Sequence, residues 1–126
     1  MYHIVYATCY MTNSTPMNDG LFDQLRLELR RGCLILAVLG QLRTEHYGYT
    51  MRQALAGLGL AIDEGTLYPL LRRLESQGLL ISEWREEDKR NKRFYRLSPD
   101  GKKILKQLLT EWEGLNQSLH QILQKD

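Results

Sequence analysis

An α+β fold, mostly α, is predicted by three stretches of this 126-residue sequence. Residues 63–75 set leucines at 67, 70, 71 and 74 on one face of a short helix, with Thr66, Tyr68, Pro69, Arg72 and Arg73 elsewhere around it. Residues 79–85 and 94–98 then read as two strands, and the turn between them carries the basic tip Lys89-Arg90-Asn91-Lys92-Arg93. In the last stretch Leu105, Leu108, Trp112, Leu115, Leu119 and Ile122 alternate steps of three and four, which is a heptad seam. A helix docked by its leucines beside a charged hairpin is how a winged helix-turn-helix presents a recognition helix and a wing to DNA. The seam adds a C-terminal dimerisation helix. Residues 18–98 are assigned to the DNA-binding domain, 99–126 to the dimerisation helix, and 1–17 to an N-terminal extension.

The remaining elements follow in chain order. Leu21, Phe22, Leu25 and Leu29 recur at helical spacing, and Gly32 marks a candidate interruption. The run from Cys33 to Leu39 is apolar almost all round and predicts a buried first core helix ending near residues 41–44. Within it Cys33 is expected to be a small core residue. A second helix centred on residues 51–55 stops at Gly57-Leu58-Gly59, and residues 60–62 form an extended link. Asp63 can cap the next helix; Thr66 is the alternative cap, which would bring Pro69 into the first turn. Gly78 is expected to close that helix as its C′ residue. The hairpin lacks Asn-Gly or Asp-Gly, so a longer, mobile loop over 86–91 is expected. Ser98-Pro99 supplies an N-cap and a first-turn proline for the last helix, which runs toward Gln124. On that helix Ile104, Leu109 and Leu123 are expected to pack within the chain, leaving the heptad edge for a second copy.

Gly65-Thr66-Leu67-Tyr68-Pro69, Arg73-Leu74-Glu75, Gly78-Leu79, Trp84 and the stretch Arg93-Phe94-Tyr95-Arg96-Leu97-Ser98-Pro99-Asp100-Gly101 resemble the signature of PadR-type bacterial transcription regulators. The resemblance covers residues 18 onward and is densest over 47–101. It implies a recognition helix in the major groove and a wing tip at the flanking minor groove. The DNA-binding candidates are thus Tyr47, Tyr49, Thr66, Tyr68, Arg72, Arg73, Lys89, Arg90, Lys92 and Arg93. The family commonly shows His-Gly-Tyr where this chain has Tyr47-Gly48-Tyr49, and a tyrosine there keeps a hydroxyl able to bond phosphate. Short members with a single C-terminal helix include multidrug sensors in which a tryptophan at the dimer interface stacks flat aromatic ligands. Trp112 resembles that residue, and Glu111 and Glu113 beside it would favour a hydrophobic or cationic effector. Residues from Met17 resemble the usual start of short members, so Met17 is either the start or part of a native arm that packs on the domain.

Composition narrows the function further. Seventeen Lys and Arg against 15 Asp and Glu give a net charge of +2, so only the distribution of charge points to double-stranded DNA. Cys9 and Cys33 make no CxxC pair, and with His3, His46 and His120 they form no metal-type cluster; no metal or other cofactor is expected. No stretch reaches the roughly 20 apolar residues of a membrane span, and residues 1–7 lack the basic start of a signal peptide, so a cytoplasmic protein is expected. No nucleophile with a base and orienting group is visible, and Gly57-Leu58-Gly59 is a helix stop rather than a phosphate loop, so no enzyme is expected. The predicted function is that of a homodimeric, sequence-specific repressor on a pseudo-palindromic operator, released by a planar hydrophobic ligand. The alternative is a winged-helix protein-interaction module with weak, non-specific DNA binding.

Overall fold

The computed structural model describes residues 16–124. The expected N-terminal extension and both readings of Met17 rest on residues that lie almost wholly outside the described ones. Seven elements follow in order: α1 (Pro16–Gln41), β1 (His46–Tyr47), α2 (Gly48–Gly57), α3 (Glu64–Ser76), β2 (Leu80–Glu87), β3 (Arg90–Leu97) and α4 (Pro99–Leu123). They divide into two compact units, residues 34–109 and residues 16–33 with 110–124. The division falls inside α1 and α4, not between residues 98 and 99.

The 34–109 unit has one apolar core. Val38 and Leu39 enter it from the end of α1, Leu42 from the turn after it, Met51 and Leu55 from α2, and Leu67, Leu71 and Leu74 from α3, all essentially without exposure. The leucine face expected for α3 is therefore the buried one, with Leu70 half-buried at its edge. Asp63 is the cap: its carboxylate accepts the Thr66 N–H at 3.2 Å. Hydrogen bonding from Thr66 also holds the Asp63 carboxyl below its ordinary range. Pro69 consequently falls in the second turn, where it offers no N–H to the Gly65 carbonyl, and the helix continues through it. At the other end Gly78, with φ +82°, lets the Leu79 N–H reach the Leu74 carbonyl at 3.0 Å, as expected for a C′ glycine.

Four sequence expectations are corrected. Gly32 interrupts nothing, because α1 runs unbroken from Pro16 to Gln41. Cys33 is exposed, since only the last turns of α1 meet the core and Cys33 precedes them. The hairpin is tight: β2 and β3 pair to Glu87↔Arg90, leaving only Asp88 and Lys89 at the tip. Both hold positive φ, 54° and 63°, because a left-handed two-residue turn matches the twist of the paired strands. Leu105, assigned to the dimer seam, is buried in its own unit's core, and Leu108 packs against that core while Leu109 is exposed. Ile104 is half-buried, as expected of the intrachain edge, so the core takes in the first part of the seam as well, because a core stripe and a seam share the same three-four spacing.

One element was not foreseen. β1 is a two-residue strand, pairing His46↔Tyr95 and Tyr47↔Phe94, so the antiparallel sheet has the order β1-β3-β2. β3, the central strand, also ties to the turn after α1, its Leu97 N–H bonding the Leu42 carbonyl at 2.9 Å.

The hairpin, the end of α3 and the start of α4 converge on Ser98, which is buried. Its hydroxyl accepts the Gly101 N–H at 2.9 Å, capping α4, and donates to the Gly78 carbonyl at 2.6 Å. Its own N–H bonds the Leu79 carbonyl at 3.0 Å. Ser98→Ala removes the cap and leaves a carbonyl without its partner. Urea melts are expected to show a loss of about 1–2 kcal/mol, a typical sum for a lost cap and hydrogen bond; an unchanged midpoint would mean Ser98 does not hold this junction.

Candidate nucleic-acid interface

Within the 34–109 unit, α3 and the hairpin flank an open groove of about 540 Å³. Tyr47, Tyr49, Tyr68, Trp84 and Tyr95 supply its aromatic walls, and Arg72, Arg90, Lys92 and Arg93 its cations, with Gly48 and Asn91 completing the lining. Among the described residues no carboxylate lines it. Seven of the ten DNA-binding candidates thus meet in one place. Thr66, Arg73 and Lys89 lie outside the groove lining, and all three are exposed.

Each aromatic wall has a local origin. Tyr68 projects from α3 onto Gly48, the first residue of α2, and a Cβ at position 48 would come within 2.6 Å of the Tyr68 hydroxyl. Glycine at 48 therefore leaves room for the Tyr68 ring against the start of α2. Tyr47 and Tyr49 stack with ring centroids 6.4 Å apart, and the Tyr49 hydroxyl accepts from the Gln53 side chain at 2.8 Å. Arg52 and Glu64, 2.8 Å apart, join α2 to the first turn of α3. Trp84 and Tyr95 are groove residues that sequence reading did not select. The signal was present in strand periodicity, because the pairings Trp84↔Arg93 and Ser82↔Tyr95 put both rings on the same side as Arg93.

The cations of the hairpin separate into two groups. Arg85 pairs with Glu45 and lies 3.8 Å from the centre of the Phe94 ring, which joins the hairpin to the segment before β1. Lys92 donates to the Tyr47 hydroxyl and to Glu87, each at 3.4 Å, and sits 4.5 Å over the Tyr47 ring. Desolvation lowers the Lys92 pKa, but those two hydrogen bonds outweigh it and leave the ammonium above its ordinary value. Arg93 bonds Glu75 on α3 at 2.8 Å and Ser82 on β2 at 3.0 Å. By contrast the side chains of Lys89 and Arg90 at the tip, and of Arg72 and Arg73 on α3, are exposed and make no ion pair among the described residues. These four, together with Arg96 on β3, which is likewise exposed and in no ion pair among the described residues, carry charge available to a polyanion. Burial raises the Tyr95 hydroxyl above its ordinary pKa, so it stays neutral beside them.

In the other unit, Trp112, Leu115, Leu119 and Ile122 of α4 are exposed, as are Leu21, Phe22, Leu25, Leu27 and Leu29 of α1. No cluster of His, Cys, Asp or Glu among the described residues could hold a metal, and no described helix is long and apolar enough to cross a membrane.

This geometry has counterparts among known proteins. The profile of the Transcriptional regulator PadR-like family matches residues 35–107. Transcriptional regulator Rv3488 of Mycobacterium tuberculosis is 40% identical over 79 residues, covering 62% of this chain and 74% of that protein. The crystal structure of a PadR family transcriptional regulator from Eggerthella lenta superposes with a TM-score of 0.83 at 39% identity, over 89% of this chain and all of that one. A PadR-like transcription factor from Bacteroides fragilis gives 0.68 at 32% identity, over 79% of this chain and 98% of that one.

Lys89 sits at a left-handed position that glycine would occupy without steric strain. Lys89→Gly is expected to raise stability by about 0.5–1 kcal/mol, the relief of strain less the added freedom of the unfolded chain. Thermal melts of the free protein measure it, and a lower melting temperature would show that the tip is not strained.

Proposed function

Because the chain belongs to the PadR-like family of transcriptional regulators and is not an enzyme, we propose that it is a cytoplasmic, sequence-specific DNA-binding regulator. In this reading it acts as a homodimer on a pseudo-palindromic operator and represses by blocking polymerase. The groove between α3 and the hairpin carries the proposal, with four cations and five aromatic rings lining it and no carboxylate among the described residues. Phosphates are attracted by such a surface wherever DNA is met, while sequence is read by the few side chains that reach base edges. Arg72, exposed on α3 and lining the groove, is the proposed base reader. Thr66, Tyr68 and Arg73 on the same helix, and Tyr47 and Tyr49 at the start of α2, are proposed to hold the backbone. Lys89 and Arg90 are proposed as the wing's phosphate contacts, and Lys92 supports the tip from behind.

Dimerisation is proposed through Trp112, Leu115, Leu119 and Ile122. Four large apolar side chains exposed at helical spacing on one short segment are more than a solvated helix ordinarily shows. A two-fold dimer would set two reading heads against two half-sites. The proposed effector is a planar hydrophobic compound stacking on Trp112 between subunits, with Glu111 and Glu113 favouring a cation.

Three outcomes are expected. Purified protein mixed with fragmented genomic DNA near physiological salt retains a few sites sharing an inverted repeat; uniform or absent retention would overturn the proposal. On such a site Arg72→Ala loses about 1–3 kcal/mol of discrimination at one position, whereas Lys89→Ala weakens all sequences alike and lowers the salt slope by about 0.9. Leu115→Asp combined with Leu119→Asp gives a monomer by sedimentation and abolishes operator binding; a dimer persisting in that variant would place the interface elsewhere.

A further inference from the structure

Arg93 does not stand as the tip cations Lys89 and Arg90 do. Its Nη2 donates to Glu75 Oε1 at 2.8 Å and its Nε to Ser82 Oγ at 3.0 Å, while Ser82 Oγ donates to Glu75 Oε2 at 2.5 Å. One guanidinium, one hydroxyl and both oxygens of one carboxylate therefore close a ring across three elements: the last turn of α3, β2 and β3. The guanidinium also lies 5.6 Å from the centre of the Trp84 ring and 5.5 Å from that of Tyr95. Glu75 and Arg93 are only 26% and 35% exposed at the side chain, so solvent screens this pair less than it would a surface pair.

We propose that Arg93 and Glu75 are positioning residues that latch the wing to the recognition helix, and that Arg93 makes no direct phosphate contact. The inference rests on the DNA-reading role proposed above. Glu75 lies three residues beyond Arg72, which places it about one helical turn along α3. Arg93 lies three residues from Arg90, about 10 Å down the strand from the tip. The ring thus sits between the proposed base reader and the proposed phosphate contacts and sets the spacing between them. Planar, two-pronged pairing suits this task, since a guanidinium held at two nitrogens is fixed in orientation as well as in distance. A phosphate seeking Arg93 would have to compete with a carboxylate already 2.8 Å away.

The neutral isostere Glu75→Gln separates the latch from simple charge. By charge alone, deleting a carboxylate beside the groove and freeing Arg93 strengthens DNA binding and steepens its salt dependence by about 0.9. The latch requires the opposite sign. Operator affinity falls about tenfold and binding to random DNA does not, so the specificity ratio drops while the salt slope stays unchanged. Arg93→Gln gives the same loss, the double variant is no worse than either single one, and Glu75→Arg with Arg93→Glu recovers part of it. Ser82→Ala keeps both charges and shows a smaller loss of the same kind, which serves if a charge variant fails to fold in a urea melt. Operator binding by Glu75→Gln as tight as wild type, or a slope lowered by Arg93→Gln, would overturn the latch. Wild-type protein that selects no operator would overturn the DNA-reading role instead, and the latch with it.

Discussion

Burial of Leu67, Leu71 and Leu74 is the constraint from which the rest of the arrangement follows. Three leucines on successive turns of a 13-residue helix leave it one way to lie on the core formed by Val38, Leu39, Leu42, Met51 and Leu55. Once that face is inward, Thr66, Arg72 and Arg73 are forced outward, and Tyr68 is turned across Gly48 onto the start of α2. The helix end is equally determined. Gly78 stops α3 and sends the chain directly into β2, and Ser98 binds the Gly78 carbonyl from the far end of the hairpin. The hairpin can therefore rise in only one place, beside the outer face of α3. The groove is a consequence of core packing and two caps, with no separate scaffold.

Charge in the hairpin divides between cations that are held and cations that are free. Midway along the strands, Arg85, Lys92 and Arg93 are each held by a carboxylate and by an aromatic ring or hydroxyl. Lys89 and Arg90 at the tip, and Arg96 next to the root, make no ion pair among the described residues. A count of basic residues over 85–96 therefore overstates what is available to a polyanion, and half of that charge shapes the structure that presents the remainder. Neutralised at close range, the held cations contribute rigidity, and their contribution to long-range attraction is correspondingly small.

Much of this was legible in the sequence, and the boundary between what was and was not has a physical basis. The leucine face of α3, the cap at Ser98 and the closing Gly78 depend on residues within four positions of one another, the hairpin is marked by its two strand-like runs, and the α3 cap was narrowed to Asp63 or Thr66. What escaped depended on distant partners. β1 is two residues long and exists only because β3 pairs with it, so no local pattern announces it. A run such as 33–39 with no polar residue carries no mark of which side faces the core, and Cys33 proved to be outside it. Leu105 and Leu108 obey the seam spacing equally well whether they meet a second chain or their own core, and the core claims them. The roles of Glu75 and Ser82 were invisible for the same reason, since their partner Arg93 lies 18 and 11 residues away.

The tip of the wing shows how local preference yields to the rest of the structure. Asp88 tolerates the left-handed region but Lys89 does not favour it as the glycine of Asp-Gly does, and a looser loop would relieve it. Such a loop would require the flanking pairs Glu87↔Arg90 and Glu86↔Asn91 to open, and those are continuous with a ladder that extends to Leu80↔Leu97. The ladder is pinned below by the Arg93–Glu75 pair and by the burial of Leu80, Tyr95 and Leu97. Strain confined to two residues is smaller than the loss of that register, so the turn stays tight. The consequence is geometric. A two-residue turn holds Lys89 at the outermost point of the hairpin and Arg90 on the first paired position behind it, so both charges are carried on a rigid ladder and neither on a loop. A glycine at 89 would suit the backbone better and would leave that outermost point without a charge.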